Sequence, residues 1–135
     1  MKHQLKKNPI FDIKMGTVGA FFLGSIVYMV NIKHGCDLAL IAASKQALYT
    51  FFIGGFMTRM TENLAIGINK KKLALIMAVA IPTIITSMLT LGMHALKGTP
   101  EPFASTIPTF FFAPIGFWGW AVRKRKQTDK FKLTN

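Results

Sequence analysis

Residues 69–96 read NKKKLALIMAVAIPTIITSMLTLGMHAL. After Lys70, Lys71 and Lys72, the run from Leu73 to Leu96 contains no Lys, Arg, Asp or Glu. As an α-helix it is about 36 Å long at ~1.5 Å per residue. A bilayer core is about 30 Å thick, so this segment is long enough to cross it. Its preceding lysines then mark one membrane face.

Three more segments follow the same rule. One runs from about Met15 to Ile32, a second from about Leu38 to Met60, and another from about Phe103 to Val122. Lipid offers backbone groups no hydrogen-bond partners, so the spans are expected as helices. The alternating pattern of a membrane strand is absent. The expected fold class is all-α, a single domain over residues 1–135 with four transmembrane helices in two hairpins.

Charge gives the direction. Residues 1–14 carry Lys2, Lys6, Lys7 and Lys14, and the middle loop carries Lys70, Lys71 and Lys72, with Arg59 nearby. The tail over 123–135 adds Arg123, Lys124, Arg125, Lys126, Lys130 and Lys132. All of these fall on one side, against only Lys33 and Lys97 on the other. By the positive-inside rule the basic side is cytoplasmic, with both termini inside. This distribution favours a multi-pass protein of a bacterial-type plasma membrane. The polar tail beyond Val122 is expected to be disordered after its first turn.

A formal net charge of +12, from 17 Lys and Arg against 5 Asp and Glu, would suggest nucleic-acid binding in a soluble chain. Here the cations sit in short clusters between uncharged runs, which does not build a surface that tracks phosphates. Apolar residues make up 51% of the sequence. The basic ends are instead expected to meet anionic lipid headgroups, at about 1 kcal/mol per charge near the surface.

The basic N-terminal stretch followed by an apolar run has the outline of a signal peptide. The run is long for one and ends at Val30-Asn31-Ile32-Lys33-His34 without a small-x-small cleavage site, so it is expected to be a retained span. With the single cysteine Cys36, no intrachain disulfide or cysteine metal cluster can form. His34, Cys36, Asp37 and His94 share the outer side, but their spacing is not that of a metal site. Neither a metal nor a cofactor is expected.

Helix faces supply the candidate sites. Gly16, Ala20 and Gly24, with Gly19 beside them, form a small-residue face in the first span, suited to packing within the bundle or in a homo-oligomer. In the second, Lys45, Tyr49, Phe52, Phe56, Arg59 and Glu62 or Asn63 follow helical spacing. Arg59 is expected to pair with Glu62 at i+3. Lys45 either snorkels or occupies a protein interior. The third span carries Thr83, Thr86, Ser87, Thr90 and His94 as a polar stripe, suited to hydrogen bonding between helices. Pro82 is expected to kink that span or free a carbonyl.

The fourth span opens with Pro100, Pro102 and Pro108, so its first turns are expected to be broken or re-entrant. It closes with Phe117, Trp118 and Trp120 before Arg123-Lys124-Arg125-Lys126, an aromatic belt above a basic anchor. His34-Gly35 and His94 with Gly98 hint at a duplicated hairpin.

No nucleophile elbow, phosphate-cradling loop or HExxH is present. The expected function is therefore non-catalytic: a small transport-type or accessory membrane subunit, in an oligomer or larger complex, handling an anionic solute or lipid headgroup. The alternative is an intramembrane enzyme acting on a lipid or isoprenoid phosphate. That enzyme would need an acid, base or nucleophile facing the same cavity as Lys45 or a histidine. The expected binding face is Lys45, Tyr49, Arg59, Glu62, Thr90 and His94.

Overall fold

The computed structural model describes residues 10–134. Among these the chain is helical, with short connections and no strand. Helix α1 covers Ile13–Asn31 and ends in a 3-10 turn, Ile32–His34. Helix α2 covers Cys36–Gly67 and contains a π-helical turn at Thr50–Gly54. Helices α3, Lys71–Leu96, and α4, Pro102–Thr134, complete the chain. Connections this short make sequential helices antiparallel neighbours. Each helix lies along the next, and α4 also meets α1 and the second half of α2. One end of the bundle carries His94, the other Arg59.

Ile13–His34, Cys36–Gly67 and Lys71–Leu96 are long and apolar enough to cross a bilayer. The prolines, hydroxyls and basic extension of α4 leave it less apolar, so it does not join them on composition.

The packing is inverted relative to a water-soluble protein. The interior holds Ala39, Ala42, Ala65, Ala74, Ala78 and Ala121, alongside buried Asn31, Gln46, Thr61, Thr90, His94 and Thr109. Large apolar side chains face outward, among them Phe21 at 76%, Met88 at 69% and Ile115 at 67% exposure. Soluble monomers rarely show apolar patches of more than a few hundred Å². Lipid removes the penalty, and small interior residues then let helices approach closely.

The face of Gly16, Ala20 and Gly24 turns inward against α2. A Cβ added at Gly16 would stand 2.5 Å from the carbonyl oxygen of Phe51, in the π-helical turn. One added at Gly24 would lie 3.1 Å from the Cβ of Ala47. Gly16 and Gly24 thus allow α1 to approach α2 closely within the chain.

Two expectations need correction. The first turns of α4 are not broken: the helix starts at Pro102, where a missing N–H costs nothing, and continues through Pro108 and Pro114. Nor does it loosen after Val122, since it remains helical to Thr134. Its extension is tied down by Arg125, whose guanidinium donates to the carbonyls of Ala65, Ile68 and Asn69 at 2.9, 2.7 and 3.0 Å. Helix α3 continues through the buried Pro82, whose missing N–H leaves the Ala78 carbonyl without its helical donor. Lys2, Lys6 and Lys7 lie outside the described residues.

Candidate functional site

The six residues of the expected binding face divide between the two ends. Lys45, Tyr49, Thr90 and His94 gather at one, and Arg59 and Glu62 at the other.

At the first end, His94 is fully buried and bridges three elements. Its Nε2 lies 2.8 Å from Oε1 of Gln46 on α2, and its Nδ1 lies 2.9 Å from the hydroxyl of Thr99. The Gln46 amide donates to Thr50 Oγ1 at 2.7 Å and to Thr109 Oγ1 on α4 at 3.4 Å. With both amide hydrogens pointing that way, Oε1 must accept. The assigned tautomer of His94 thus carries its proton on Nε2, and Nδ1 accepts from Thr99. Nearby, Asn31 of α1 donates to Ser105 of α4 at 2.8 Å. Gly98, at φ 66°, turns the chain so that the Thr99 N–H reaches the His94 carbonyl at 3.1 Å.

Lys45 is half-buried at the rim of this network. Its ammonium donates to the Lys97 carbonyl at 2.5 Å, just past the C-terminus of α3, where the helix dipole favours a cation. Tyr49 turns toward Thr90 without a well-formed hydrogen bond. The hydroxyls of Thr83, Thr86, Ser87 and Thr90 are buried without a hydrogen-bond partner. A shallow groove of about 450 Å³ on the outside of the bundle is lined by Lys45, Tyr49, Met93 and Lys97.

Beyond the helix ends, Glu101 accepts from Lys33 at 2.9 Å and pairs with His34 at 3.1 Å. Lys33 first and His34 second hold its carboxyl below the usual carboxylate range. Tyr28 Oη and Cys36 Sγ lie 3.3 Å apart, with Cys36 exposed. Among the described residues no group of three His, Cys, Asp or Glu forms a metal cluster. His34 is exposed in a 3-10 turn whereas His94 is buried in the last turn of α3, so the two histidines have unlike surroundings.

The opposite end is an ion network. Arg59 meets Glu62 at 2.7 Å, as its i+3 spacing implied, and also Asp12 at 3.2 Å. Lys124 of α4 reaches the second oxygen of Glu62 at 3.3 Å. Asp12 also caps α1, accepting from the Met15 N–H at 3.0 Å. One carboxylate, one guanidinium and their partners thus join α1, α2 and α4.

The sequence reading missed Gln46, Asn31, Asp12 and Lys124. Asp12 carried a signal, an acid just ahead of an apolar helix. The others are recognisable only once distant segments meet.

The fold and its inverted packing define a multi-pass helical membrane protein. The chain matches no family model, no curated protein and no solved structure, so its function is argued from its own residues.

Proposed function

We propose that the protein is a non-catalytic accessory subunit with four spans and both termini in the cytoplasm. It sits in a bacterial-type plasma membrane, held at its basic end by anionic lipid. The supporting observation is the internal pairing of Arg59, His94 and Lys45. Arg59 is taken by Asp12 and Glu62, His94 by Gln46 and Thr99, and Lys45 by the Lys97 carbonyl. Intramembrane ionisable groups are costly and often mark transport or catalytic sites. Here each one joins helices together. An enzyme acting on a lipid phosphate would need a base or nucleophile facing the groove of Lys45 and Lys97, and the residues lining it offer no carboxylate or histidine, only those lysines and Tyr49.

Transport of an anionic solute is the second reading, favoured by the buried, unpartnered hydroxyls along α3. Reconstitution of the purified protein into sealed vesicles separates the two. The accessory reading expects encapsulated chloride and phosphate to leak no faster than from empty vesicles. Faster efflux of either overturns it in favour of transport. Topology is tested with the protein's own thiol: a membrane-impermeant maleimide should label Cys36 in intact cells. In a Cys36→Ser background, Asn69→Cys should label only after permeabilisation.

A further inference from the structure

Helices α1 and α4 meet near the His94 end, through Asn31 with Ser105 and an edge-to-face pair of Phe22 and Phe112 with centroids 4.9 Å apart. From that ring pair toward the Arg59 end, a groove of about 300 Å³ opens between the two helices. Val18 and Met15 line it from α1, Ile115, Gly116 and Trp120 from α4, and the π-helical turn contributes Thr50 and Gly54. From Phe112 to Trp120 the groove is about 12 Å long at ~1.5 Å per residue. It is elongated and almost wholly apolar.

Its mouth is not apolar. Trp120 is the last aromatic before the basic run, and its ring lies 5.9 Å from the Arg123 guanidinium and 4.9 Å from the Lys124 ammonium. Lys124 is engaged with Glu62, whereas Arg123 is exposed and has no carboxylate partner among the described residues. The indole N–H of Trp120 is shut away from solvent with no acceptor among the described residues. Tryptophan beside arginine is the usual chemistry of the bilayer interface, at the depth where lipid carbonyls end and headgroup phosphates begin.

We propose that this groove is a binding site for one anionic phospholipid of the surrounding bilayer. One acyl chain lies between α1 and α4 against the Trp120 ring, and its phosphate meets Arg123. The site deepens the accessory reading by giving its lipid contact an address, and it depends on the Arg59 end being the cytoplasmic interface.

The test uses the full chain with Trp118→Phe, which leaves Trp120 as the sole tryptophan. It is reconstituted into phosphatidylcholine bilayers containing a small, equal fraction of acyl-brominated phosphatidylglycerol or acyl-brominated phosphatidylcholine. Bromine quenches a tryptophan it touches. One cation near the surface contributes about 1 kcal/mol, so phosphatidylglycerol should occupy the site about fivefold more readily. A Cβ at Gly116 meets no atom within 4 Å, so Gly116→Ile should fill the groove without disturbing the helices and bring quenching by both lipids down to one low level. Arg123→Gln should leave chain binding intact and abolish the preference for phosphatidylglycerol.

Equal quenching by the two lipids in the parent overturns the proposal. So does an unchanged preference in Arg123→Gln, which decides the matter if Gly116→Ile does not fold. A negative result with Cys36 and Asn69 labelling as expected rejects the groove alone. Labelling on the wrong sides rejects the topology as well.

Discussion

The Nε2–H of His94 on α3 donates to the side-chain oxygen of Gln46 on α2 at 2.8 Å, with both residues wholly shielded from solvent. In hydrocarbon an unpaired ring N–H has no water to fall back on. Removing one partner therefore costs more than removing both. Gln46→Leu should lower stability in detergent by about 1–3 kcal/mol. Adding His94→Leu to it should cost less than the sum of the two single changes. Unfolding titrations of the four proteins in a double-mutant cycle measure the difference, and strict additivity would mean the bond contributes nothing.

The pair of Glu62 and Arg59 should behave more severely. Glu62 is nearly buried and holds both Arg59 and Lys124. Glu62→Gln would leave two cations facing a neutral amide, and breaking one side of a buried ion pair typically costs about 3–5 kcal/mol. Arg59→Lys should also destabilise, because one ammonium cannot reproduce the fork that reaches Asp12 and Glu62 together. The same unfolding titration ranks them, with Glu62→Gln expected to lose more.

The Glu101 contact at the other end should be sensitive to acid. Lys33 and His34 hold the Glu101 carboxyl below its ordinary value of 4.5. The folded state therefore binds this proton less readily than the unfolded chain. Its contribution is fully present above the ordinary carboxylate range and fades as pH falls toward and through the lowered value. Glu101→Gln should flatten the acid limb of a stability-versus-pH curve and leave the neutral region nearly unchanged. The group is exposed, so added salt should shrink the difference between the two proteins. An identical acid limb for both would show that the contact with Lys33 and His34 has no energetic role.

Gly16 and Gly116 provide a matched comparison on two helices. A methyl at Gly16 collides with the Phe51 carbonyl, whereas at Gly116 it enters open space. Overpacking a tight contact costs about 1–3 kcal/mol. In an exposed helix position, alanine gains about 1 kcal/mol over glycine by propensity. Gly16→Ala should thus lower stability and Gly116→Ala should hold or raise it. Matching losses at both would mean that the close approach of α1 to Phe51 is not what Gly16 provides.

The membrane class was legible because uncharged runs such as Leu73–Leu96 have no other use for their length. The link between Arg59 and Glu62 was legible because three residues bring two side chains to one helical face. The interior network was not. Gln46 follows Lys45 directly, and one residue is about 100° of helix rotation, so the charged neighbour marks the rim while the neutral amide turns to the core. Its partners His94 and Thr109 come from other helices, and no periodicity within α2 announces them. The hydroxyl stripe of α3 was visible as a stripe, yet Thr83, Thr86, Ser87 and Thr90 lack the interhelical bonds expected of them. The spans leave little mark of how they pack, because alanines and threonines fit many interfaces.

The least legible feature was the ordered end of α4. RKRKQTDKFKLT is polar but for Phe131 and Leu133, which at i and i+2 point to opposite sides of a helix, so it has no apolar face to hold it. Arg125 supplies the hold. It closes over the C-terminus of α2, donating to the carbonyls of Ala65, Ile68 and Asn69, while Asp129 pairs with it one turn on at 3.4 Å. Those carbonyls lie in the last turn of α2 and the link to α3, where a helix has orphaned acceptors. Hydrogen bonds to a charged donor are worth about 1.5–3 kcal/mol each when shielded. Arg125→Gln should therefore loosen two places at once. Amide hydrogen exchange in residues 65–70 and 126–134 should accelerate together, while that of α1 stays as it was. Acceleration in only one of the two segments would mean that the α2 terminus and the α4 extension are ordered independently, and that Arg125 is not the tie between them.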